Sequence, residues 1–221
     1  MKRFPTNPSS PIVVGIDVGG PIKGFHAVAL RDDGCPDQFS SLDAAEVADW
    51  CRKEIGAKVI GVDVPCRWSK SGRARPAERE LMGEGIWCFS TPSQEKAENH
   101  PKKYFHWMLA GAELFRRLEM THPLFTGTRG QADEQVCFET FPHAIECALA
   151  GKKVSAKDKR TVRRELLERA GINTKALTNM DTIDAALCAL TAHYFTARAF
   201  DKYGDATEGI IVVPTWSLAR H

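Results

Sequence analysis

The 221-residue chain has no long apolar run. No stretch approaches the roughly 20 apolar residues of a membrane span, so no membrane partner is expected. No two cysteines stand at C-x-x-C spacing. The seven, at 35, 51, 66, 88, 137, 147 and 188, are odd in number and scattered. That argues against a zinc site and for reduced core thiols in a cytoplasmic protein. Charge of one sign is also missing. The formal net charge is +2, so local clusters say more about partners than the average does. There is no internal repeat or low-complexity segment, and no Walker-type glycine loop with lysine. The opening MKRFPTNPSSP carries two basic residues without an apolar run behind them, so no secretory signal is expected.

What is present suits a folded domain. Hydrophobic residues make up 43% of the chain, and its length suits one large domain or a domain with an insertion. Residues 1–10 read as a loose tail. Residues 12–18 form an apolar run that ends at Gly19-Gly20, as a buried strand does before a tight turn. Residues 24–30 read as its hairpin partner and 31–34 as the next turn. Asp43 and Glu46 have capping-box spacing and open a helix to about 55. Residues 58–64 (KVIGVDV) read as another buried strand, stopped by Pro65.

A short helix is expected over 76–82, with Pro76 at its first position, and a long one over 100–120. Residues 135–141 (QVCFETF) read as a strand, followed by helices near 143–150 and 157–170. The clearest helix runs from Asp181 to about 203, because Ile183, Leu187, Leu190 and Tyr194 recur at helical spacing. A last short strand is expected over 210–213. Strands alternating with helices imply an α/β fold: a mixed sheet covered on both faces. The mostly helical stretch of about 66–134 is expected to be an insertion within a single domain.

Acidic residues carry the chemistry. Asp17 and Asp63 lie near the ends of two apolar strands, where α/β proteins place their sites. A buried carboxylate must be hydrogen-bonded, paired or metal-bound, and neither strand offers a basic partner. Either aspartate alone is equally well explained as a turn cap. Asp181 and Asp184 are three apart and share a helix face. They serve equally as an N-cap and a first-turn partner of the helix dipole. The small-residue helix that follows, DAALCALTA, can press close to a sheet and carry both toward the strand ends. Glu139, in FETFP, is either a ligand or a structural charge; by alternation it shares a face with Cys137. Converging carboxylates commonly hold Mg²⁺ or Mn²⁺. Two such ions about 4 Å apart can activate water against a phosphodiester.

Five segments in this order, GIDVGGPIKGFHAVAL, VIGVDVPCRWS, the R-x-x-E-R-E-L run from Arg75 to Leu81, FETFP and DTIDAALCALTA, resemble the domain-of-unknown-function family 429. The likeness spans roughly 12–214. It implies a ribonuclease-H-like fold and a predicted nuclease activity. More distantly, the first-strand GID with its hairpin and the D-x-x-D-A helix are similar to RuvC-type Holliday-junction resolvases. That resemblance implies metal-binding roles for Asp17, Asp63, Asp181 and Asp184. The chain departs from it at Asp63, where resolvases usually carry the longer glutamate, and at Pro21, where a small polar residue is common.

Basic residues flank these acids. Residues 152–164 hold seven (Lys152, Lys153, Lys157, Lys159, Arg160, Arg163, Arg164) against one acid, Asp158. A second group, Arg67, Lys70, Arg73 and Arg75, lies in the loop after Asp63. Phosphate contacts of this kind supply most non-specific affinity for DNA or RNA. A solvated helix face explains the first group equally well, and a mutual pair explains Arg75 with Glu78. Trp68, Trp87, Phe89 and Trp107 either stack bases or fill the core. His106, His143 and His193 read as core histidines, although His143 directly follows the acidic strand and can serve there as a proton carrier.

The primary expectation is a metal-dependent nuclease acting on nucleic acid. Two rivals remain. One is an ATPase or kinase-like protein, suggested by the Asp-x-Gly-Gly turn. The other is a non-catalytic module that binds nucleic acid or protein. A homodimer stays open, since no heptad or seam argues for it.

Overall fold

The computed structural model describes residues 11–31, 34–128 and 134–215. The expected N-terminal tail lies outside them, as does part of the turn at 31–34. Strand β1 (Val13–Val18) pairs antiparallel with β2 (Phe25–Leu30), and β2 with β3 (Pro36–Ser41). Helix α1 (Ala44–Asp49) continues as a π-helical turn, Trp50–Glu54, and leads to β4 (Val59–Asp63), which lies parallel to β1. Helices α2 (Pro76–Gly83), α3 (Gln94–Glu98) and α4 (His106–Leu118) come next. Then follow β5 (Val136–Glu139), α5 (Pro142–Ala150), α6 (Lys159–Arg169) and α7 (Met180–Thr196). The hairpin β6 (Phe200–Asp205) and β7 (Gly209–Pro214) closes the described chain.

The seven strands form one mixed sheet in the order β3-β2-β1-β4-β5-β7-β6. An antiparallel β1-β2-β3 meander beside the parallel β4 and β5 is the ribonuclease-H-like order implied by the sequence. Helices cover both faces. One core joins Val13, Val59 and Phe138 of the sheet to Leu187 and Leu190 of α7. The other joins Val14, Ile16 and Ile60 to Val47 of α1 and Leu114 of α4. Successive strand residues point to opposite faces. Val13 lies in the α7 core, so Gly15 and Asp17 face α7 as well. Gly61 and Asp63 follow Val59 in the same way. Gly15 pairs in register with Gly61, and Asp17 with Asp63.

The two glycines let α7 sit against the sheet. A Cβ on Gly15 would lie 2.0 Å from the Ala185 carbonyl oxygen and 2.1 Å from the Ala189 nitrogen. Gly15→Ala should therefore push the helix outward and cost about 1–3 kcal/mol, as overpacking does. A urea midpoint equal to that of the wild type would refute this close approach.

Three expectations need correction. The helix expected over 100–120 spans only His106–Leu118, because Pro101 suits a turn and Lys103 adopts a positive φ of 54°. The helix expected to reach 203 stops at Thr196; Arg198 takes φ 56°, and the chain turns back as β6. Residues 36–41 are a strand that was not expected. PDQFSS lacks apolar alternation because β3 is an edge strand with largely solvated side chains. All seven cysteines are thiols: Cys35 is exposed, Cys88 half-buried and the others buried. Among the described residues no helix is long and apolar enough to cross a membrane.

Candidate active site

Strands β1, β4, β5 and β7 run parallel, so their carboxyl ends share one edge. Asp17 and Asp63 stand side by side there, and their carboxyls share a hydrogen bond. Asp17 is 9% exposed and Asp63 half-buried. Burial, and then the negative charges of Asp184 and Asp181, push the Asp17 pKa up to about 7; Lys23 opposes them. Burial also raises Asp63, with Asp17 and Asp184 adding repulsion. Between them the pair holds a proton that two isolated aspartates would have released.

Asp181 and Asp184, in the first turns of α7, bear on the same point but are held by cations. Lys23, in the turn between β1 and β2, lies 2.8 Å from the Asp181 carboxylate, and His26 Nε2 lies 3.7 Å from it. Arg163 donates to Asp184 at 2.5 Å and to the fully buried Glu146 at 3.0 Å. Burial raises Asp184 above its ordinary value against the pull of Arg163.

Glu139 belongs to a different construction. Its carboxylate accepts from Arg75 at 2.6 and 2.9 Å and from the Cys66 N–H at 2.8 Å. Arg75 also donates to Glu78 and to the carbonyls of Arg67 and Glu208. This buried network joins β5, α2 and the β6–β7 turn to the loop that leaves Asp63. Glu139 thus meets the structural alternative for a mid-strand charge, and by alternation it turns away from α7.

The basic residues divide. Arg75 and Arg163 are buried inside ion pairs and present no guanidinium to solvent, which differs from the substrate-binding role expected of them. Arg67 is half-buried and bidentate to Glu119 at 2.8 and 3.0 Å. Lys70, Arg73, Lys159 and Arg160 are exposed. The charge of Lys159 reaches Asp184, and Arg160 donates to the Thr178 carbonyl. His143 sits 3.6 Å from Glu146, one ion pair removed from Asp184.

Sequence reasoning missed Lys23, His26 and Glu146. His26 was findable: once the hairpin is set, strand register places it opposite Asp17. Its Nδ1 shares a 2.9 Å hydrogen bond with Ser40 Oγ, which orients the ring. Glu146 lay hidden in an apolar helix, and no local pattern marks it.

Among the described residues no three His, Cys, Asp or Glu side chains cluster as a metal-holding group. The Asp17–Asp63 pair offers hard oxygen donors whose repulsion a divalent cation would relieve. Mg²⁺ is commonly held by one or two carboxylates together with substrate phosphates. The carboxylates of Asp17 and Asp63 fit such an ion, with Asp181 and Asp184 near enough for their charge to act on Asp17.

Fold and site together define the class: a ribonuclease-H-like α/β protein with paired acids at the carboxyl edge of its sheet. The family model described as protein of unknown function (DUF429) matches residues 15–206, and the chain belongs to that family. No curated protein matches. Among solved structures, the chain is similar to Thermus thermophilus RuvC at 15% identity, covering 85% of this chain and 95% of that one, with a TM-score of 0.42. It is also similar to T. thermophilus RuvC in complex with Holliday junction substrate at 17% identity, covering 85% and 96% of the two chains, with a TM-score of 0.41.

Proposed function

We propose that this protein is a metal-dependent nuclease that hydrolyses phosphodiesters of DNA or RNA. One observation carries the proposal: two half-buried to buried aspartates face each other in register, with the acids of a helix close by, and burial first, then mutual repulsion, disfavours their charged forms. Placing carboxylates so is unfavourable unless a cation joins them. Asp17 and Asp63 would hold Mg²⁺ or Mn²⁺. A bound ion of this kind supplies an activated water and stabilises the leaving oxygen.

The chain's own groups do the rest. Lys23 and Arg163 keep Asp181 and Asp184 fixed and reduce the negative charge that an incoming phosphate meets. Lys159, Arg160, Lys70 and Arg73 are exposed cations able to hold the strand's other phosphates. His26, beside Asp181, can take or give a proton near the reacting oxygens.

Incubation with single-stranded, duplex and branched nucleic acid in Mg²⁺ or Mn²⁺ tests the proposal. Cleavage should appear with the ion and vanish with chelator. Asp63→Asn should lower kcat/KM by at least about 100-fold, since even residues behind metal ligands cost about 10–100-fold. Full activity in that variant would remove the assigned role. Tight ATP binding by calorimetry, without cleavage, would favour the kinase-like rival.

A further inference from the structure

Beside the paired acids a cleft of about 540 Å³ opens, reaching from Asp63 and Val18 to Trp87, Phe89 and Trp107. Its size is that of a small-ligand site. The floor is finished: Arg75, Glu78 and Glu139 are buried and bonded to one another. The walls are not. Trp87 is 74% and Phe89 59% exposed, and Phe89 leans on Tyr104 and on Trp107, with ring centroids 6.0 and 6.5 Å apart. Open aromatic faces beside a polar floor match a flat ring with a polar edge.

Cations lie on the neighbouring segments. Lys153 lies against Gly85, two residues before Trp87, and the exposed Lys102 and Lys103 immediately precede Tyr104. Cations on the segments that flank an aromatic wall suit a nucleotide, whose phosphate is anionic and whose base has two apolar faces.

We propose that this cleft takes one unpaired nucleobase of a single-stranded segment, stacked on Trp87 and Phe89, so that the adjoining phosphate lies beside Asp63. The inference deepens the nuclease proposal and rests on it for the reacting phosphate. A base paired within a duplex cannot enter, because its faces are already stacked and its edge is engaged. The site therefore selects unpaired strands, loops or extruded bases.

The test is fluorescence anisotropy of a labelled single-stranded oligonucleotide in EDTA, where no turnover occurs. Trp87→Ala and Phe89→Ala remove exposed side chains, so the fold should survive. Each should weaken single-strand binding about 5- to 150-fold, the range for loss of one base–aromatic stack. Met120→Ala, another exposed apolar side chain, should leave binding unchanged, as should either aromatic variant with duplex of the same sequence. Wild-type affinity in both aromatic variants would overturn the proposal, and so would a wild-type protein that binds no single strand.

A parallel cleavage assay separates the two ideas. Unchanged binding by both Trp87→Ala and Phe89→Ala alongside Asp63-dependent cleavage sinks the cleft and leaves the nuclease. Weakened binding alongside no cleavage by the wild type in Mn²⁺ sinks the nuclease and leaves the cleft as a base-binding site.

Discussion

At pH 8, without divalent ions, Asp17→Asn should melt above the wild type by roughly 4–16 °C. The Asp17 pKa stands near 7 in the folded protein against an ordinary 3.8. The folded state therefore holds a proton that the unfolded chain has released, and stability must fall as pH rises between those values. Each pKa unit corresponds to about 1.4 kcal/mol. The shared proton with Asp63 brings the expected loss to about 2–4 kcal/mol, or about 2–4 °C per kcal/mol for a chain of this size. Carboxylates depressed by partners act in the opposite sense. Glu113, held near 2 by Arg116 and Arg117, adds stability above the ordinary carboxylate range that is lost as pH falls through its own value. Its contribution is complete by pH 6, so between pH 6 and 8 the raised acids of the site, Asp17 with Asp63 and Asp184, set the slope, against a smaller opposite contribution from the buried His122.

Asparagine cannot ionise, so the variant's melting temperature should decline less over that interval than the wild type's; burial still raises Asp63 in the variant. Mn²⁺ at high concentration should reverse the order, because it stabilises only the protein that binds it. Differential scanning calorimetry at pH 6, 7 and 8, with and without Mn²⁺, reads both effects. A wild type whose stability rises between pH 6 and 8 would show that the two acids do not repel as their placement requires.

Arg75→Met should cost about 3–5 kcal/mol of folding stability, the scale for removing one member of a buried ion pair. The guanidinium serves Glu78 and Glu139 at once, and both carboxylates would remain behind without it. Replacing all three with apolar or amide side chains (Arg75→Met, Glu78→Gln, Glu139→Gln) should recover most of the loss, since no charge is then stranded. Chemical denaturation of the single and triple variants checks this. A single variant within about 1 kcal/mol of wild type would mean that water reaches the network. Activity should fall even in the repaired protein, because Arg75 also fastens the Arg67 carbonyl in the loop that leaves Asp63.

Strands β1, β4 and β7 were legible because each is a short apolar run ended by glycine or proline, and both strand aspartates stood out against that background. The α7 pattern gave the helix but not its end. The switch to β6 at Phe200 depends on pairing with β7, which follows it in the chain. β3 was invisible because an edge strand needs no apolar alternation. The charges were the least legible part. The Arg75–Glu78 pair was readable from its spacing of three, but Arg163 looks like any helix cation in sequence, and only burial beside Glu139, Glu146 and Asp184 turns the two arginines fully inward. Glu139 and Glu146 are likewise explained by partners 64 and 17 positions away. Local patterns cannot encode such distances.

The distribution of sulfur offers a practical handle. Burial pushes the Cys88 thiol up to about 12 and raises Cys51, Cys66, Cys137, Cys147 and Cys188 as well, which starves each of the thiolate that alkylating dyes require. Cys35 alone is exposed. It directly precedes Pro36, whose register through Leu30 leads to Val13, at the opposite end of β1 from Asp17. A maleimide fluorophore added to the native protein should therefore couple at one place, far from the reacting edge, and give a spectroscopic tag without engineering.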